Sequence, residues 1–179
     1  MDNTTGSFVP PPRPSTAVHA PNVVVATWRG GQRFDAGRPH GPSVRIDGRG
    51  ETGPSPVDML LNALVTCVSA DVVGILEKRR TPPESYEVEA VGTRVETVPR
   101  RLERVLLRFR IAGGAIEREH AERAIDLSIT KYCSVRDSLD PAVPIAWELE
   151  LNGTPGALRD VPPPSPRGAL ARLEGGSTS

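Results

Sequence analysis

Ser55-Pro56-Val57-Asp58-Met59-Leu60-Leu61-Asn62-Ala63-Leu64-Val65-Thr66-Cys67-Val68-Ser69-Ala70-Asp71 is the stretch around which this chain is organised. Serine suits a helix N-cap, and proline suits the first helical position, where a missing N–H removes nothing. Asp58, three residues after Ser55, can reach back to the serine backbone as the acid of a capping box. The helix is expected to run to Lys78–Arg80 and to stop at Pro82-Pro83, because proline has no donor and clashes with the preceding turn. Between Asp58 and Asp71 it carries no charge on any face. A helix apolar all round is expected to be buried on all sides. That places Cys67 midway along a central, buried helix. Six short strands from one chain cannot cover such a helix, so a second copy is expected to do so.

Around this helix the pattern changes to a period of two. Val23–Trp28 is apolar and β-branched, and Pro42–Asp47 alternates weakly before Gly48. Tyr86–Thr97 reads as a further strand. In Arg104–Ile111, Val105, Leu107, Phe109 and Ile111 point one way while Arg104, Arg108 and Arg110 point the other. Ile145, Trp147, Leu149 and Leu151 alternate in the same manner with Ala146, Glu148 and Glu150. These are expected to be half-buried strands of an antiparallel sheet with one wet face. A second helix is expected from Glu117 to Tyr132, after Gly113-Gly114, with Ala121, Ile125 and Ile129 on one stripe and Cys133 next on the same line. Both cysteines then lie on core-facing helical surfaces, which permits them to meet. The fold class is α+β.

The chain has 179 residues, enough for one core once the ends are set aside. Residues 1–21 hold Pro10, Pro11, Pro12, Pro14 and Pro21 without periodic apolar positions, and residues 154–179 are rich in proline, glycine and serine. Both are expected to be disordered, leaving 22–153 as the folded domain. Twenty-two basic residues balance 22 acidic ones, and aromatics make up 4%. Neither an electrostatic nor a stacking surface for nucleic acid is expected. No uncharged run reaches the roughly 18 residues of a membrane span, so no membrane partner is expected. The N-terminal stretch lacks the basic and apolar regions of a secretory signal. A cytoplasmic protein with reduced thiols is the expectation. With two cysteines and three scattered histidines, neither a disulfide scaffold nor a zinc site is expected. From composition alone, two reduced cysteines are as readily two buried small hydrophobes as a redox pair.

Gly53-Pro54-Ser55-Pro56, the apolar helix that follows, Cys67 and the continuation Asp71-Val72-Val73-Gly74-Ile75-Leu76 resemble the signature of the OsmC/organic hydroperoxide resistance family, on its less characterised OsmC-like branch. Lys131-Tyr132-Cys133-Ser134-Val135 is similar to the family's second cysteine segment, and Trp28 with residues 37–48 is similar to its N-terminal half. The resemblance covers about residues 22–152. It implies an α+β fold in which two long central helices are enclosed by strands of an intertwined homodimer. It implies a thiol peroxidase that reduces small organic hydroperoxides with paired cysteines, Cys67 attacking and Cys133 resolving. No bound cofactor or metal is implied; an external dithiol of lipoyl or other type is the reductant.

Such chemistry needs a thiolate, and burial in apolar surroundings works against one. By resemblance, Arg45 in Ser43-Val44-Arg45-Ile46-Asp47-Gly48 is the stabilising cation, with Arg29, Arg33, Arg38 and Arg49 as fallback choices. In the best-known peroxidases a glutamate directly after the helix-starting proline holds that arginine. Here the position is Val57, and Asp58 follows one residue later, about 100° around the helix. Asp58 is therefore either the arginine's partner or only a cap, with Glu51 and Asp47 as alternative partners. Met59, Leu60 and Phe109 are expected to line the peroxide pocket and to favour bulky or fatty hydroperoxides. Val57 also leaves a second reading: a non-catalytic or redox-sensing member of the same fold that binds an apolar small molecule.

Overall fold

The computed structural model describes residues 20–164. They fall into two compact units that divide between Pro54 and Ser55, where a single folded body over 22–153 is the sequence expectation. The proposed disordered arm lies almost wholly outside the described residues, as does the tail beyond residue 164.

The first unit is an antiparallel meander of β1 (Val25–Trp28), β2 (Arg33–Gly37) and β3 (Ser43–Asp47), in that order. β2 is not foreseen, since Arg33-Phe34-Asp35-Ala36-Gly37 has one large apolar residue. The β1–β2 turn needs left-handed backbone, supplied by Gly30 (φ 89°) and Gly31 (φ 58°). Asp47 closes the unit. Its carboxylate accepts from the Arg49 N–H (2.9 Å), the Thr52 N–H (3.1 Å) and the Thr52 hydroxyl (2.8 Å), which together hold it below the usual carboxylate range.

The second unit begins with helix α1 (Pro56–Lys78). Its N-terminus is the expected capping box: the Asp58 N–H donates to Ser55 Oγ at 3.2 Å, and the Ser55 N–H donates to Asp58 Oδ2 at 2.8 Å. By length and composition α1 could cross a membrane, its most apolar window having a mean hydropathy of 2.0. Instead it packs on protein along the line Leu64, Val68, Val72 and Leu76, all fully buried. The expectation of burial on every side does not hold within one chain, where Leu60, Asn62, Thr66 and Ala70 are exposed. The physical reason is supply: one sheet and one short helical layer cover one stripe of a helix.

The sheet runs β4 (Ser85–Arg94), β5 (Leu102–Ala112), β6 (Ile145–Leu151) and β7 (Thr154–Pro155), and β8 (Arg159–Asp160) also pairs with β6. β4 and β5 are antiparallel, whereas β5 and β6 are parallel, which corrects the expectation of an all-antiparallel sheet. The connection between β5 and β6 carries α2 (Arg118–Leu127), a π-helical turn (Ser128–Tyr132) and α3 (Ser134–Asp137), and such a crossover returns the chain in the same direction. The inner face is as read: Val105, Leu107, Phe109 and Ile111 stack beside Ile145, Trp147, Leu149 and Leu151, all buried. The outer face is a ladder of ion pairs, with Arg108 between Glu89 (3.2 Å) and Glu148 (2.8 Å), and Arg110 on Glu87 (2.6 Å). The expected disordered tail from residue 154 is also corrected, because β7 and β8 are paired strands.

Two substitutions test which contacts carry α1. Leu64→Ala empties a fully buried position and is expected to cost about 2–5 kcal/mol in denaturant unfolding, against about 1 kcal/mol for Ser55→Ala, which removes only the cap.

Candidate active site

Two elements of the second unit bring the cysteines together. Cys67 lies on α1 beside the buried Val68 and is itself only partly covered. Cys133 follows the π-helical turn, whose origin is local. The Ser128 hydroxyl donates to the Ala124 carbonyl (2.7 Å) and the Thr130 hydroxyl to the Asp126 carbonyl (2.6 Å). Hydroxyls bonding back four residues compete with the backbone ladder and loosen the helix. The Cys133 N–H then reaches the Ser128 carbonyl five residues back, at 2.9 Å. The helix ends there: Cys133 is extended (φ −72°, ψ 99°) and becomes the N-cap of α3, its sulfur accepting from the Arg136 N–H at 3.4 Å.

Cys133 is 3% exposed. Burial pushes its thiol up to about 12; contact with the Cys67 side chain acts in the same direction, and the Arg136 N–H opposes both. Cys133 therefore keeps its proton at neutral pH. Both cysteines are free thiols. The arrangement is a partly accessible sulfur backed by a buried, protonated one.

Arg45 lies in the first unit, half-exposed, with its Nε 2.5 Å from Asp35 Oδ1. Arg29 takes the other oxygen at 2.8 Å. Hydrogen bonds and charge from Arg45 and then Arg29 hold the Asp35 carboxyl below its ordinary range. The partner of Arg45 is thus Asp35 rather than Asp58, Glu51 or Asp47. Sequence reasoning missed it because the signal is a register: Asp35 faces Arg45 across β2 and β3, and β2 itself was not foreseen. Asp58 is a cap. The Ser55 bonds lower its pKa, with Arg94 the charge acting on it through space.

The expected pocket needs a further correction. Phe109 is core, edge-on to Tyr86 (6.4 Å between centroids) and Trp147 (6.3 Å). A different cavity, of about 250 Å3, is lined by Val57, Leu60, Leu102, Leu139 and Val143, with Arg100 and Arg101 among its walls. Val57 and Leu60 precede Cys67 on α1 by ten and seven residues, three and two helical turns respectively. Among the described residues, no three His, Cys, Asp or Glu side chains converge to hold a metal.

The family model described as OsmC-like protein matches residues 48–148, a span that contains both cysteines and the elements presenting them. This chain belongs to the OsmC-like family. Protein YhfA of Escherichia coli (strain K12) is 36% identical over 125 residues, covering 69% of this chain and 93% of YhfA. Among OsmC-like and related solved structures, a hypothetical protein from Aquifex aeolicus VF5 is 26% identical with a TM-score of 0.65, covering 75% of this chain and 99% of its own. An OsmC like protein from Mycoplasma pneumoniae, 15% identical over 74% of this chain and 97% of its own, shares the fold with a TM-score of 0.64.

The buried thiol makes a stability prediction within this OsmC-like chain. A folded-state pKa raised above the unfolded value of about 8.5 means that the unfolded chain loses the proton first. The contribution is intact below about pH 8.5 and is lost as pH rises toward 12, by about 1.4 kcal/mol per pH unit for one proton. Cys133→Ala is expected to flatten the stability profile between about pH 8.5 and 10, before Tyr86, also pushed up to about 12 by burial, contributes. Denaturant midpoints across that range check it.

Proposed function

We propose that this protein is a thiol-dependent peroxidase that reduces organic hydroperoxides through a sulfenic acid on Cys67, resolved by Cys133. The observation that carries this reading is the contact between a partly accessible Cys67 and a buried Cys133 that retains its proton. Membership of a family that includes peroxidases supports it. The Cys67 thiolate attacks one peroxide oxygen, an S–O bond forms, the O–O bond breaks, and the alkoxide leaves as the alcohol. Cys133 then attacks the sulfenic sulfur. The disulfide forms, the S–O bond breaks, and the hydroxyl leaves as water with the Cys133 proton. An external dithiol reopens the disulfide by exchange and is itself oxidised. By the family resemblance Arg45 is the proposed cation for this chemistry; within its own unit it is paired with Asp35, whose other oxygen accepts from Arg29. A guanidinium keeps its charge at any working pH and can donate to both peroxide oxygens.

A second reading rests on Val57. Where a carboxylate would hold an arginine, this chain presents an apolar wall to the cavity that also includes Leu60 and Leu102. That favours a sensing or carrier protein for an apolar small molecule, with Cys67 oxidation as the signal. Either way we infer a homodimer, since α1 is apolar around its circumference but buries one stripe within a chain. Sedimentation of the reduced protein at twice the 19.2 kDa chain mass is the expected result.

Thiol counting before and after a single turnover with an alkyl hydroperoxide separates the two functions. The peroxidase loses both of its two thiols, Cys67→Ser keeps its one remaining thiol, and Cys133→Ser loses its one remaining thiol to a sulfenic acid, which a second equivalent of hydroperoxide carries on to the sulfinic acid. Retention of both thiols under excess peroxide sinks the enzyme and leaves the sensing or carrier reading.

A further inference from the structure

Residues 154–162 run antiparallel along the free edge of β6, from its C-terminal end back to its N-terminal end. Each step is tied to an element of the crossover or to β6 itself. The Thr154 carbonyl accepts from Arg118 of α2 at 2.6 Å. Arg159 stacks its guanidinium over the Trp147 ring (5.3 Å to the centroid) and pairs with Glu122 and Asp126 of α2. The Val161 N–H donates to the Ile145 carbonyl at 2.8 Å. The run ends with the Pro162 carbonyl accepting from Arg136 Nη2.

Arg136 is unusual among the arginines of the described residues. Its side chain is 5% exposed, and it stands three residues after Cys133 in α3. A guanidinium taken from water is costly unless its donors are met. Here the Pro162 carbonyl accepts from Nη2 and Asp137 Oδ1 (3.3 Å) from Nη1. The same residue's backbone N–H holds the Cys133 sulfur. One end of Arg136 is therefore fixed by the C-terminal segment and the other fixes the cysteine. α3 has only four residues, too few to hold that geometry by its own hydrogen bonds.

We propose that Arg136 is a positioning residue for Cys133, and that residues 154–162 form a strap which clamps its guanidinium and so presents the buried sulfur to Cys67. The strap lies beyond residue 148, where the family match ends. Its role as a resolving-step device rests on the peroxidase reading; its hold on Cys133 does not.

The test measures iodoacetamide labelling of Cys133 in full-length protein carrying Cys67→Ser, which involves no peroxide. Arg136→Met keeps an apolar stem and removes the guanidinium. It is expected to speed labelling about ten-fold, and Arg136→Lys about three-fold, by freeing α3 to open locally. Arg159→Ala, at a half-exposed position, loosens the strap without touching α3 and is expected to speed labelling about three-fold. Cys67 in a Cys133→Ser background is expected to label at its parent rate with each of the three, because a local opening at α3 leaves α1 in place. Unchanged Cys133 labelling in Arg159→Ala and in folded Arg136→Met overturns the proposal. So does an equal rise at both cysteines, which reports general loosening. If Arg136→Met does not fold, Arg159→Ala alone decides. Failure of thiol loss with peroxide would remove the enzyme reading and leave these labelling outcomes standing.

Discussion

A helix of 23 residues that carries no charge from Met59 to Ala70 has to be set against protein, and the second unit is organised by that demand. The stripe Leu64, Val68, Val72 and Leu76 collects the sheet's inner face and the crossover helices around it. Cys67 lies at the margin of that stripe, between core and solvent. A thiol in the core would be desolvated and slow to ionise, and one on the open face would have no buried neighbour. The apolar continuity of α1 thus sets the fold and also leaves Cys67 the more accessible of the two cysteines.

The two sulfurs differ because their supports differ. Cys67 sits within a regular helix, and its surroundings are those of any residue next to the core. Cys133 is made special by a local irregularity. The hydroxyls of Ser128 and Thr130 loosen the helix, the ladder slips by one residue, and the thiol becomes a cap instead of continuing the stripe. Burial then keeps its proton in place. The two sulfurs of the pair thus differ by environment rather than by residue type: one is buried and protonated, the other partly accessible.

Much of this was legible beforehand, for reasons that can be named. Ser55, Pro56 and Asp58 define a helix start through local hydrogen bonding, and β5 and β6 show their faces by strict alternation. What stayed hidden depended on pairing over distance. Asp35 meets Arg45 only once β2 is known to lie against β3. The parallel course of β5 and β6 follows from the crossover rather than from either strand's composition. The paired residues after 153 were masked by prolines, which here sit at an outer sheet edge where a missing N–H matters little. Arg136 looks like any surface arginine until the Pro162 carbonyl is found beside it.

The parallel pairing of β5 with β6 sets how far apart in sequence the contacts around the second thiol lie. β4 and β5 are neighbours in sequence and can zip as soon as both exist. β6 reaches its place only by way of the intervening helices, because a parallel partner cannot be reached by a tight turn. The segment that must complete this journey is the one that carries Cys133. The burial of the second thiol therefore depends on contacts between segments far apart in sequence, whereas the first takes its setting from the local hydrogen bonds of one helix.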